Sequence, residues 1–106
     1  MEMEIEITNH AFERLHERLG LNKKSIKRIV DKAYKFGLKH SDSSGNLFKY
    51  ISQRTNLYRR KGTCIKIYGE NVYIFNKKEE KIILITVFNL PNNLKPLALT
   101  LQKNVK

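Results

Sequence analysis

The chain predicts an α+β domain, and three observations carry that expectation. Residues 1–7 alternate apolar and acidic side chains without a break, the period of a half-buried strand. Two segments with helical spacing follow, and three β-branched, apolar runs separated by turn residues fill most of the second half. Helices first and strands afterwards give an N-terminal strand and a helical hairpin packed on a twisted antiparallel sheet of three to four strands.

The elements are justified in order. The outer face of the first strand carries Glu2, Glu4 and Glu6, which reads as an edge protected by charge or one whose acids pair with basic neighbours. Thr8 or Asn9 caps the first helix and Gly20 ends it, with Ala11, Phe12, Leu15 and Leu19 on its apolar side. Asn22 caps a second helix, Ile26, Ile29, Val30, Ala33 and Phe36 keep its apolar spacing, and Gly37 suits its C′ position. Residues 40–45 are turn-rich, and Ser44 heads a short third helix through Leu47, Phe48, Tyr50 and Ile51. Residues 54–62 read as an exposed basic loop. Strands are expected at 63–68, 72–75 and 82–88, the last nearly all apolar and so the central, doubly covered one. Residues 76–81 read as a charged hairpin loop, and 94–106 as a weak terminal helix with Pro96 in its first turn. One face of the sheet packs on the hairpin; the other is expected to be open and basic.

At 106 residues, 41% hydrophobic and 29% charged, the chain reads as one folded domain over 1–106. No apolar run approaches the roughly 20 residues of a membrane span, and the Glu-rich start does not resemble a signal peptide, so no membrane and a cytoplasmic location in a bacterial host are expected. The lone Cys64 has no disulfide partner and reads as a buried structural thiol. Three scattered His lack metal-ligand spacing, and no cofactor motif is present, so neither metal nor cofactor is expected.

The net charge of +11 is segregated. Between residues 32 and 69 the only acid is Asp42, against nine Lys and Arg; from Lys81 onward there is none. A one-signed field attracts polyanions, and nucleic acid is the partner it points to, RNA ahead of DNA.

Three constellations could carry chemistry. His10, Arg14 and Arg18 recur at helical spacing and form one stripe, offering a proton-transfer group beside fixed positive charge. Lys66, Tyr68, Tyr73 and Thr86 converge across the meander, where Thr86 is the one polar residue of its run. Arg54, Tyr58, Arg59, Arg60 and Lys61 interleave bases with an aromatic, as phosphate contact with base stacking requires; Lys49 and Lys66 extend this nucleic-acid-binding set. His40 follows the second helix beside Asp42, which could orient its ring, and ranks below His10; His16 faces elsewhere.

The motif His10-Ala11-x-Glu13-Arg14-x-x-x-Arg18, the basic hairpin ending at Gly37, and the strands 72–75 and 84–87 together resemble the RelE-like group of the barnase–EndoU–colicin–RelE superfamily. Nearest in appearance are small uncharacterised phage and prophage proteins with the same helix opening, a His-Ser turn like His40-Ser41, and an Ile-Thr-Val strand followed by Leu-Pro. The resemblance spans roughly residues 7 to 92. It implies metal-independent RNA cleavage, with His10 as general acid or base, Arg14 on the scissile phosphate, and Thr86 with Tyr73 or Lys66 as the opposing floor. Typical toxins of the group place their key arginines on the sheet and near the C-terminus. Here the expected strands hold only Lys66, and no Arg follows Arg60, which counts against ribosome-dependent cleavage. The alternative is a non-enzymatic basic module acting on nucleic acid or a host nucleoprotein; a toxin–antitoxin reading adds an acidic protein partner.

Overall fold

A computed structural model describes residues 4–58 and 60–104, with the side chains of Leu57 and Asn104 outside the description. The elements in chain order are β1 (Ile5–Ile7), α1 (Asn9–Leu19), α2 (Lys23–Phe36), β2 (Leu38–Lys39), α3 (Gly45–Arg54), β3 (Thr63–Tyr68), β4 (Asn71–Lys78), β5 (Lys81–Asn89) and α4 (Lys95–Asn104). Short 3-10 turns occupy His40–Asp42 and Asn56–Tyr58. The fold class is α+β, as expected.

The strands form one five-stranded sheet in the order β1-β5-β4-β3-β2. The meander β3-β4-β5 is antiparallel, whereas β1 pairs in parallel with β5, Ile5 opposite Ile82 and Ile7 opposite Leu84. β1 therefore is the charged edge the sequence suggests. Its acids pair with bases: Glu6 meets Lys81 at 3.0 Å and Glu4 meets Lys27 at 3.8 Å. Residues 1–3, the start of the expected strand, lie outside the described residues. The apolar run of β5 is covered on both faces, but β4 takes the centre of the sheet.

The helix signals act as the sequence implies. The Thr8 side chain accepts from the Ala11 N–H, and Gly20 closes α1 in the left-handed region at φ 62°. Asn22 caps α2 by accepting from the Ser25 N–H. Gly37 also ends its helix, though for another reason than expected. Its φ is −65°, and a Cβ there would overlap the Ala33 carbonyl and come within 3.0 Å of the Lys66 Cβ. The Ala33 carbonyl of its own helix, with β3 close behind, requires the glycine, not a left-handed turn.

Two apolar clusters sandwich the sheet. Ala11, Leu15, Ile26, Val30 and Ala33 of the hairpin pack on Tyr73, Phe75, Ile82, Leu84 and Val87. Leu47 and Ile51 of α3, with Leu94 and Ala98 at α4, pack on Ile67, Val72, Ile74 and Phe88 from the other side. The second face is thus not open, contrary to expectation: two further amphipathic helices need a surface, and this face is where the chain can bury them. A cleft beside the Asn56–Tyr58 turn leaves part of it accessible. Cys64 is half-buried against the hairpin cluster.

Candidate functional site

A register shift in β5 builds the site around His10. Ile74 lies opposite Thr86 and Phe75 opposite Leu84, so Ile85 is an extra residue in β5. Leu84 and Val87 both join the hairpin cluster while Ile85 packs on the other face, so the alternation skips one position here. The Thr8 N–H donates to Leu84 O at 3.2 Å, and Thr8 Oγ1 donates to Ile85 O at 3.1 Å. These bonds set the start of α1 on the bulge. His10, in the first turn, then comes within 3.1 Å of Thr86, Nε2 to Oγ1, across 76 residues of sequence.

The helical stripe is arranged as the spacing implies. His10, Arg14 and Arg18 are all exposed, whereas Ala11 and Leu15 are buried beneath them. Among the described residues neither arginine enters an ion pair, so the guanidinium charges are available to a ligand. His16 is exposed, with Nδ1 3.0 Å from Leu21 O and its ring stacked on Phe12.

The rest of the expected wall does not meet His10. Lys66 and Tyr73 are paired across β3 and β4, but Tyr73 stands opposite Val87, not Thr86, because of the bulge. Both face the hairpin: Tyr73 is 1% and Lys66 8% exposed. Burial, with Tyr68 nearby, pushes the Tyr73 phenol up to about 12, so it stays neutral at physiological pH. The Lys66 ammonium sits 5.5 Å from the centre of the Tyr34 ring. Thr86 alone, itself 7% exposed, opposes the imidazole.

The basic set lies mostly on the second face of the sheet. Arg54, at the end of α3, lays its guanidinium 4.9 Å over the Phe88 ring, and Tyr58 is half-buried against the same cluster. Lys49, Arg60 and Lys61 are exposed; Arg59 lies outside the described residues. Tyr58, Arg60, Lys61 and Lys78 border a cleft of about 380 Å³ over an apolar floor of Ile74, Ile83 and Ile85. A larger cavity of about 580 Å³ between α2 and β1 mixes Glu4 and Asp31 with lysines, so its charge is not one-signed.

His40, expected to rank below His10, is held by a neighbouring helix. Its partners are Ser52 and Phe48 on α3: Nε2 lies 3.1 Å from Ser52 Oγ, and the ring stacks on Phe48 at 4.6 Å. Phe48 and Ser52 are four apart on one helix, which is the signal that could have found this pairing. Among the described residues no group of His, Cys, Asp and Glu could hold a metal ion, and no helix is long and apolar enough to cross a membrane.

No protein-family model matches the chain, and no curated protein matches it. Among solved structures, it is similar to a chain of the toxin–antitoxin complex RelBE2 from Mycobacterium tuberculosis. The identity is 15% and the TM-score 0.46, over 85% of this chain and 100% of that one.

Proposed function

We propose that the protein acts on RNA, binding it through its basic surface and cleaving it without a metal at His10. The contact of His10 Nε2 with Thr86 Oγ1 is the observation that carries this reading. It fixes an exposed imidazole at the positive end of α1, one helical turn from Arg14, which enters no ion pair among the described residues. In such a site the RNA 2′-oxygen attacks the adjacent phosphorus and the bond to the 5′-oxygen breaks, leaving a 2′,3′-cyclic phosphate. His10 takes the 2′-hydroxyl proton or supplies one to the 5′-oxygen, and Arg14 offsets charge on the crowded phosphorus. An origin in a phage or mobile element, and an acidic protein that neutralises the activity, belong to the same reading.

Incubation of labelled RNA with the protein and a chelator tests it. Cleavage should fall at least a hundredfold in His10→Ala, as loss of a general acid or base does, and clearly in Arg14→Ala. Salt-sensitive binding with no cleavage, unchanged by His10→Ala, supports the non-enzymatic module instead. One observation favours that second reading: with Tyr73 and Lys66 buried, no second proton-transfer group among those expected stands opposite His10.

A further inference from the structure

The turn His40–Asp42 has no part in cleavage at His10, yet its imidazole is also held by neighbouring side chains. It is fixed between the Phe48 ring and Ser52 Oγ, at the end of β2 and on the opposite face of the sheet from α1. There it borders a pocket of about 390 Å³ together with Arg60, Thr55, Thr63 and Ile65.

The donors of this pocket sort into spent and unspent. Thr55 Oγ1 already donates to Ile51 O at 2.6 Å, and Thr63 Oγ1 to Tyr58 O at 2.6 Å. His40 Nε2 is likewise engaged, 3.1 Å from Ser52 Oγ and 3.4 Å from Phe48 O, so what remains for a ligand is the Arg60 guanidinium and His40 Nδ1. No acid lines the pocket, and among the described residues Arg60 enters no ion pair; Asp42 is exposed on the same turn as His40 but is not one of the walls. Arg60 and Thr63 also border the neighbouring cleft with Lys61 and Lys78, so positive charge continues from the β2 edge toward β5. A planar, permanently charged fork beside an imidazole, without a competing carboxylate, is suited to a tetrahedral oxyanion.

We propose that His40 and Arg60 form a phosphate-binding site that takes a backbone phosphate of single-stranded RNA. The site is separate from His10, across the sheet. It rests on the RNA reading for the source of the phosphate, not for the pocket itself.

Two probes separate those claims. Inorganic phosphate, titrated while magnetic-resonance signals are followed, should give saturable shifts at the His40 ring and at Arg60, abolished in Arg60→Gln. A labelled oligouridylate should bind Arg60→Gln about tenfold more weakly than the parent, as loss of one charge-assisted contact does. The slope of log affinity against log salt should fall by about 0.7, one phosphate's worth for a single strand. Lys32→Gln, an equal charge change on α2, should cost under about threefold if the effect is local rather than general. Because His40 packs on Phe48, Arg60→Gln, at an exposed position, is the decisive variant. Phosphate shifts at His40 and Arg60 without oligonucleotide binding uphold the site and remove RNA as its source. Shifts spread along the lysines of α2 with none at His40 overturn the site, whatever becomes of His10. Oligonucleotide affinity equal in Arg60→Gln and the parent overturns it as well.

Discussion

Thr8 and Ile85 are joined by a hydrogen bond from the Thr8 hydroxyl to the Ile85 carbonyl, 3.1 Å long and spanning 77 residues. The same hydroxyl oxygen accepts the N–H of Ala11 at 3.1 Å. One side chain therefore caps α1 and fastens it to the extra residue of β5. The position of His10 over Thr86 follows from these two bonds.

Thr8→Val keeps the shape of the side chain and removes both bonds. Loss of the cap and of the long-range bond should destabilise the fold by about 2 kcal/mol, read by urea denaturation. Thr86→Val removes only the contact to His10 and should cost about 1 kcal/mol or less. Amide exchange at Ala11 separates the two, rising in Thr8→Val and staying slow in Thr86→Val. Equal exchange in both variants would show that Thr8 does not fasten the helix.

Gly37 and Gly20 end their helices for different reasons, and alanine distinguishes them. At Gly20 the φ of 62° is strained for any L side chain, but nothing lies within 4 Å of a new Cβ. Gly20→Ala should therefore cost about 1–2 kcal/mol, the left-handed penalty alone. At Gly37 the backbone suits alanine, but the Cβ would overlap the Ala33 carbonyl and crowd Lys66 and Ile67 O. The end of α2 must shift off its own Ala33 carbonyl as well as away from β3, and a loss of about 2–4 kcal/mol is expected. Denaturation midpoints that place Gly37→Ala above Gly20→Ala would contradict the close approach.

The same residues show what was legible beforehand. Caps and glycine stops are local chemistry, so Thr8, Gly20, Asn22 and Pro96 marked their helices. Pairing is not local. The alternation at residues 5–7 says strand, but nothing in it chooses β5, 75 or more residues away, or a parallel direction. The bulge is invisible for a related reason: Ile82, Ile83, Leu84, Ile85 and Val87 are all apolar, so a skipped position leaves no break in the pattern. That skip is why Thr86 opposes His10 while Tyr73 does not. A period of two correctly puts Cys64, Lys66 and Tyr68 on one face of β3, yet it cannot say which face receives the helices. Lys66 and Tyr73 are therefore expected on a wall facing His10, and the hairpin covers them instead.

The buried phenol of Tyr73 should make stability fall at high pH. Its ordinary value of 10.0 in the unfolded chain rises to about 12 in the fold. Between these values the unfolded chain has released the proton and the native state still holds it, so the fold binds more protons and loses stability as pH rises. The contribution is intact below pH 10, and the loss reaches about 3 kcal/mol once pH passes through 12. Tyr34 is raised as well, by burial and then by Cys64, and adds in the same direction. Phenolate absorbance should show one of the five tyrosines titrating about two units late, and Tyr73→Phe should remove that late step. A titration with all tyrosines ionising together near 10 would place Tyr73 at the surface.

Gln102 should decide whether α4 stays on the sheet. Its Oε1 accepts the Gly69 N–H at 2.9 Å, and its Nε2 donates to Gly69 O at 2.9 Å and to Ala98 O at 3.1 Å. One amide thus clamps the last helix to the turn between β3 and β4, beyond the reach of the apolar contacts of Leu94 and Ala98. Gln102→Leu keeps the bulk and strips these bonds, leaving both backbone groups of Gly69 to water. A loss of about 1–2 kcal/mol is expected, less than the sum of the bonds because Gly69 is only partly buried. The more telling measure is hydrogen exchange along the helix. Amides of α4 after Ala98 should exchange faster in the variant while those of β4 stay protected, since α4 can lift from the second face without breaking the sheet. Uniform acceleration in both elements would mean that α4 and the sheet open as one unit, and that the clamp at Gly69 holds the whole fold together rather than a single helix.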